Sequence, residues 1–130
     1  MRFLLDTQIA IWAVTSSERL SSRARALIVD ADEEITVSSL SLWEIAIKYP
    51  LLKRKDAPPL SSAAALAAFR EARFALLDIN PAHACAVEAL PRLHGDPFDR
   101  LLVAQARSEK MVLLTADSVL TAYGDDVMLA

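Results

Sequence analysis

Short apolar runs alternate with amphipathic stretches along the whole chain, and this alternation limits the fold more than any other feature. Arg2 to Leu5, Glu34 to Ser38, Phe74 to Ile79, Met111 to Leu114 and Val127 to Leu129 are brief runs rich in aliphatic and β-branched residues, which suits strands. Between them lie segments with helical signals. Thr7 to Val14 follows the first run, and Leu20 to Asp32 carries Ser21 or Ser22 as a cap. Ser41 to Tyr49 is stopped by Pro50, and Ser61 to Arg73 is alanine-rich. Pro81 to Leu90 and Asp96-Pro97 to Lys110 follow, then a short helix from Asp117 or Ser118 to Tyr123. Asp is a good N-cap and Pro suits the first helical position, so the Asp96-Pro97 start is the best marked of these. Strands that alternate with helices, and read as continuous apolar runs rather than as period-two patterns, predict a parallel sheet covered on both faces. The fold class is therefore α/β, a three-layer α/β/α domain with a central parallel sheet of four to five strands.

At 130 residues, of which 54% are hydrophobic, the chain predicts one domain over 1–130 with a core that needs no staples. Its single cysteine, Cys85, has no disulfide partner and sits in an alanine-rich helical stretch, where it predicts a small buried hydrophobe in a reducing cytoplasm. Asp6 cuts the first apolar run after Leu5, and no run reaches the roughly 18 apolar residues of a membrane span. Only two glycines, Gly95 and Gly124, occur, so no glycine-rich loop is available to cradle a phosphate or a dinucleotide. The net charge of −3 is not that of a general nucleic-acid binder, yet Lys48, Lys53, Arg54 and Lys55 cluster in one segment.

In an open parallel sheet, ligands bind beyond the carboxyl ends of the strands. Asp6 follows the first strand. Glu44 lies in the first turn of the helix after the second. Asp96 and Asp99 open the helix before the fourth, and Asp117 follows that strand. Carboxylates brought to one edge repel by about 1 kcal/mol per pair in water at 4 Å, and by about 4 at an effective dielectric of 20. A divalent cation removes the conflict. Oxygen ligands without supporting Cys or His favour Mg²⁺ or Mn²⁺ over zinc, and such an ion suits phosphoryl chemistry.

Plainer uses exist for each residue. Asp96 serves as a cap, and Ser41-x-x-Glu44 fits a capping box that would employ Glu44 structurally. His83 and His94 near helix ends read as solvated or capping residues, with a metal-free acid–base pair as the alternative. Trp12 and Trp43 read as core. The Lys48, Lys53, Arg54 and Lys55 cluster is either a solvated loop or a contact for RNA phosphates.

Four motifs, in this order and spacing, resemble the PIN-domain family, specifically the toxins of VapBC-type toxin–antitoxin pairs. They are Phe3-Leu-Leu-Asp-Thr7, Ser38-Ser-Leu-Ser-Leu-Trp-Glu-Ile-Ala-Ile-Lys48, His94-Gly-Asp-Pro-Phe-Asp-Arg-Leu-Leu-Val-Ala-Gln-Ala106 and Leu113-Leu-Thr-Ala-Asp117. The resemblance spans nearly the whole chain. It implies that Asp6, Glu44, Asp99 and Asp117 fall on the family's four acidic positions. Asp6 and Asp99 would be the principal metal ligands, while Glu44 and Asp117 would complete the shell and orient the attacking water. Asp96 would be a helper or merely the cap, and Thr7 and Thr115 would support the site by hydrogen bonds. Many relatives carry His where this chain has Gln8, a departure that leaves the acid set intact. The resemblance also implies metal-dependent endonucleolytic hydrolysis of RNA to a 3′-hydroxyl and a 5′-phosphate. Its other implications are a homodimer, a small antitoxin over the active site, and operator DNA bound only through that antitoxin. Two other readings compete: a catalytically silent PIN-like module that binds RNA or protein, and a receiver-type phospho-switch. The second lacks an acidic pair after the first strand and a Lys after the last core strand.

Overall fold

The computed structural model describes residues 1–30, 32–51, 53–55 and 57–130. Residue 31, and residues 52 and 56 of the loop expected over 51–60, lie outside the described residues; the helix expected to reach Asp32 ends at Val29, where the extended backbone of Asp30 stops it. The chain alternates as its sequence predicts. In order, β1 (Arg2–Leu5), α1 (Thr7–Val14), α2 (Ser22–Val29), β2 (Glu34–Ser38), α3 (Ser39–Lys48), α4 (Ser62–Glu71) and β3 (Ala75–Leu77) make the first part. Then follow α5 (Pro81–Ala86), α6 (Pro97–Glu109), β4 (Val112–Thr115) and β5 (Val127–Leu129). Two 3-10 helices, Val87–Ala89 and Ser118–Tyr123, extend α5 and join β4 to β5.

All strand pairs are parallel, in the order β3-β2-β1-β4-β5. Beginning at β1, the chain builds outward through β2 to β3, then crosses back and builds the other half through β4 to β5. The order reverses between β1 and β4, and that reversal opens a crevice beyond their carboxyl ends. Receiver-type folds use the order 2-1-3-4-5, so this topology removes the phospho-switch reading.

Each buried strand feeds two cores, because successive side chains point to opposite faces. Phe3 and Leu5 of β1 face one cluster with Ile35, Val37 and Leu114, closed by Ile9, Ile11, Ala24, Ala65 and Phe69 of α1, α2 and α4. Leu4 faces the other cluster with Leu113, closed by Leu102, Val103 and Ala106 of α6 and by Leu120. These are the two helical layers of an α/β/α sandwich.

Several local expectations change. Strand β2 runs straight into α3, so the helix begins at Ser39 with Ser38 as N-cap, whose hydroxyl accepts from the Leu40 N–H at 3.0 Å. Ser41 is therefore not the cap. Glu44 lies in the second turn, and the capping-box role for it falls. Cys85 is exposed rather than buried, since the short α5 turns it away from the core. Trp43 is 55% exposed, its ring edge-on to Phe98 of α6 at 5.2 Å, whereas Trp12 is half-buried and packs on the first cluster.

Phe69 is fully buried between α4 and the sheet, with the Phe74 ring 6.2 Å from it. Phe69→Ala should cost about 3–5 kcal/mol of stability, read from denaturant midpoints at constant m-value. A loss below about 1 kcal/mol would mean that α4 does not seal that face.

Candidate active site

The crevice at the β1/β4 reversal holds a cleft of about 370 Å³ lined by Asp6, Thr7, Gln8, Trp12, Glu44, Lys48, Asp96, Asp99, Ala116 and Asp117. Five of its side chains are carboxylates, delivered by four separate segments.

Asp6 leaves the end of β1 and caps α1. Its Oδ1 accepts from the Ile9 N–H at 2.8 Å and its Oδ2 from the Thr115 hydroxyl at 2.5 Å. Thr115 stands at the end of β4, and its oxygen in turn accepts from the Asp117 N–H at 3.0 Å. One hydroxyl thus ties together the two acid-bearing turns on either side of the reversal. Burial pushes the Asp6 carboxyl up to about 6. The Thr115 and Ile9 hydrogen bonds oppose this, and the charges of Glu44 and Asp117 add to it.

Glu44 is buried on the inner side of α3. Its Oε1 accepts from the Thr7 hydroxyl at 2.8 Å, and its Oε2 pairs with the Lys48 ammonium at 2.7 Å, one helical turn on. Thr7 has one hydroxyl hydrogen and gives it to Glu44. The contact of 2.9 Å between Thr7 and Ser41 therefore has Ser41 as donor, and a directed chain runs from Ser41 through Thr7 to Glu44. Lys48 also lies 5.7 Å from the centroid of the Phe98 ring.

Asp99 sits in the first turn of α6. Burial raises its carboxyl to about 7, reinforced by the charges of Asp96 and Asp6, against a smaller pull from His94. Asp96 caps α6, accepting from the Phe98 N–H at 2.9 Å, and it lines the same cleft. Asp117 caps the following 3-10 helix through the Val119 N–H at 3.0 Å. Its other oxygen meets His94 Nε2 at 2.8 Å, and that hydrogen bond holds its carboxyl below the ordinary range.

The profile of the PIN domain matches residues 3–125 of this sequence. The chain belongs to the PIN-domain family. Over 121 residues, 92% of this chain and 90% of the other, it is 33% identical to Ribonuclease VapC22 of Mycobacterium tuberculosis (strain ATCC 25618 / H37Rv). Its fold also matches chains of solved complexes. One is VapBC2 from Rickettsia felis bound to a DNA fragment from their promoter, with TM-score 0.68 and 19% identity, covering 100% of this chain and 98% of that one. Another is FitAcB from Neisseria gonorrhoeae, with TM-score 0.66 and 15% identity, covering 98% and 96%.

In this PIN domain the structure brings Asp6, Glu44, Asp99 and Asp117 into one cleft, with Thr7 and Thr115 bonded to two of them. Lys48 is drawn in as well, paired to Glu44. Lys53, Arg54 and Lys55 are exposed and lie outside the cleft. The histidines do not form an acid–base pair. His83 is buried, caps α5 with Asn80 and bonds Glu109 at 2.8 Å, while His94 joins the acids. That second contact joins residues 23 apart in the chain, and no local pattern signals it.

Burial lifts two of the carboxyls well above their ordinary value and neighbouring carboxylates add to the rise, a combination that a hard divalent cation would relieve. The donor set fits such an ion. The sign of the resulting pH dependence is fixed. Asp6 (about 6) and Asp99 (about 7) are raised in the folded chain, so they add stability at low pH that is lost as pH rises through those values. Asp117, which is lowered, acts in the opposite sense and only in more acidic solution. Without divalent ions, the melting temperature should therefore climb as pH falls from about 8 to about 5, and Asp99→Asn should flatten the climb. A melting temperature that is level or falls over that range in EDTA would contradict this electrostatic picture.

Proposed function

We infer that this PIN-domain protein is a metal-dependent endoribonuclease, the toxin of a VapBC-type toxin–antitoxin pair, formed by a single domain over 1–130 and acting in the cytoplasm. The observation that carries the reading is the convergence of Asp6, Glu44, Asp99 and Asp117 on one cleft at the β1/β4 reversal. The relative named a ribonuclease and the toxin–antitoxin complexes of the same fold support it.

Asp6 and Asp99 would be the principal ligands for Mg²⁺ or Mn²⁺, and Glu44 and Asp117 would complete the shell. A bound ion of this kind lowers the pKa of a coordinated water and neutralises charge on the phosphate. The chain's own groups do the positioning. Thr115 and the Ile9 N–H fix both oxygens of Asp6. Thr7 and Lys48 fix both oxygens of Glu44, which would help to orient an attacking water.

A second groove of about 260 Å³ continues from the cleft and shares Thr7, Gln8, Trp12, Glu44 and Lys48 with it, with Arg19 and Lys55 added at its rim. Cations and an indole face beside the acids suit a single strand of RNA leaving the site. Lys53 and Arg54 extend the same positive segment. A small antitoxin would cover this region, and operator DNA would be bound only through that antitoxin. Trp43, Ile47 and Leu51 are 55%, 44% and 42% exposed at a spacing of four residues. This apolar stripe, with a mean hydropathy of +0.29 for the chain, favours a homodimer. Among the described residues no helix is long and apolar enough to cross a membrane.

RNA cleavage by purified protein should vanish in excess EDTA and return with Mg²⁺ or Mn²⁺. Asp6→Asn should lower the rate by about a hundredfold or more, because a metal's charge stabilisation is worth several kcal/mol. Full activity in EDTA would sink the metal reading.

Neutralising Lys53, Arg54 and Lys55 together to Gln should weaken RNA binding and flatten the plot of log affinity against log salt. The slope should fall by about 0.7 for each single-strand phosphate that is no longer neutralised. Metal affinity should not change. An unaltered slope would return these residues to the solvated surface.

A further inference from the structure

Asp117 is the least sheltered of the four acids, with 39% of its side chain exposed, and it stands on a short 3-10 helix. Left alone, such a carboxylate would sample several rotamers and supply charge to the cleft only part of the time. Two contacts remove that freedom. The Val119 N–H holds Oδ1 at 3.0 Å, and His94 Nε2 meets Oδ2 at 2.8 Å.

The histidine is itself held. Its Nδ1 accepts from the Asp96 backbone N–H at 3.0 Å, and a nitrogen that accepts carries no proton. In the neutral ring the only hydrogen is then on Nε2, aimed at Asp117 with Asp99 Oδ2 further off at 3.7 Å. The loop that ends in the α6 cap therefore sets the tautomer, the tautomer sets the donor, and the donor sets the carboxylate.

We propose that His94 is a positioning residue of the acid cleft, held as the Nε2–H tautomer by the Asp96 N–H, which aims Asp117 at the metal position beside Asp99. The proposal rests on the metal-site reading above. Its rival is direct ligation, because one atom each from His94, Asp99 and Asp117 lie within 4.8 Å of one another. The geometry disfavours ligation. Nδ1 is occupied by the Asp96 N–H, and Nε2 could bind an ion only by giving up its proton and its bond to Asp117. A ring that donates to a metal-binding carboxylate affects the ion through that carboxylate, and losing such a partner typically weakens metal binding by about 10- to 100-fold.

Two measurements test this, and neither involves RNA. Long-range ¹H–¹⁵N correlation spectra of the unaltered protein resolve the tautomers of its two histidines, with His94→Gln assigning the pair. His94 should show the Nε2–H pattern without divalent ions and keep it at saturating Mg²⁺. An Nδ1–H pattern, or loss of the Nε2 proton on adding Mg²⁺, would overturn the proposal in favour of another tautomer or of ligation. Calorimetric titration with Mn²⁺ supplies the second readout. His94→Ala should bind Mn²⁺ about 10- to 100-fold more weakly, while His94→Gln, which keeps an N–H donor at similar reach, should recover most of that loss. Parent-like binding by His94→Ala, or equal loss in both variants, would overturn it. If the spectra and Mn²⁺ binding behave as stated but RNA is not cleaved, the nuclease reading falls and the positioning role stands.

Discussion

A carboxylate buried at the end of the central strand is the constraint around which this molecule is arranged. Strand β1 is flanked by β2 and β4, and Asp6 leaves it where the sheet order reverses. A buried charge is costly unless it is hydrogen-bonded, and Asp6 has two donors for its two oxygens. One comes from α1, the helix it caps. The other comes from Thr115, which belongs to the far half of the sheet. The sandwich and the site therefore share a joint, since the pairing of β1 with β4 also seats the Asp6–Thr115 bond.

The surrounding acids make this joint electrostatically tense. Glu44 is relieved locally by Lys48, and Asp117 by His94. Asp6 and Asp99 are the two whose carboxyls are raised, by burial first and by neighbouring carboxylates second. A cluster built this way is ready to accept positive charge in one place, which is a stronger statement than the presence of acidic residues.

Much of this can be read from the residue order. The alternation of apolar runs with capped helices establishes a two-faced parallel sheet, and Asp96-Pro97 marks the start of α6 correctly. Asp6, Glu44, Asp99 and Asp117 are all legible as acids beyond strand ends. Local rules fail where tertiary contacts decide. Ser41 fits the pattern of a cap, but β2 passes directly into α3 and Ser38 takes that role. His94 resembles a solvated residue because its partner lies on another element. Trp43 resembles core because a helix's apolar face carries no label saying whether its own sheet or another molecule covers it. Cys85 illustrates the same limit in a helix of one and a half turns.

The bond between Thr115 and Asp6 spans 109 positions, and this bears on how the protein is made. Asp6 leaves the ribosome long before Thr115 and Asp117 are joined to the chain. A ribosome part-way between them holds a chain whose early half can form β1, β2 and β3, but it has neither β4 nor the residues that complete the cleft. No incomplete product can assemble the four-acid centre. Synthesis itself thus sets an interval in which the early acids exist without the late ones: the ribosome has passed almost all of this domain before the four carboxylates can meet.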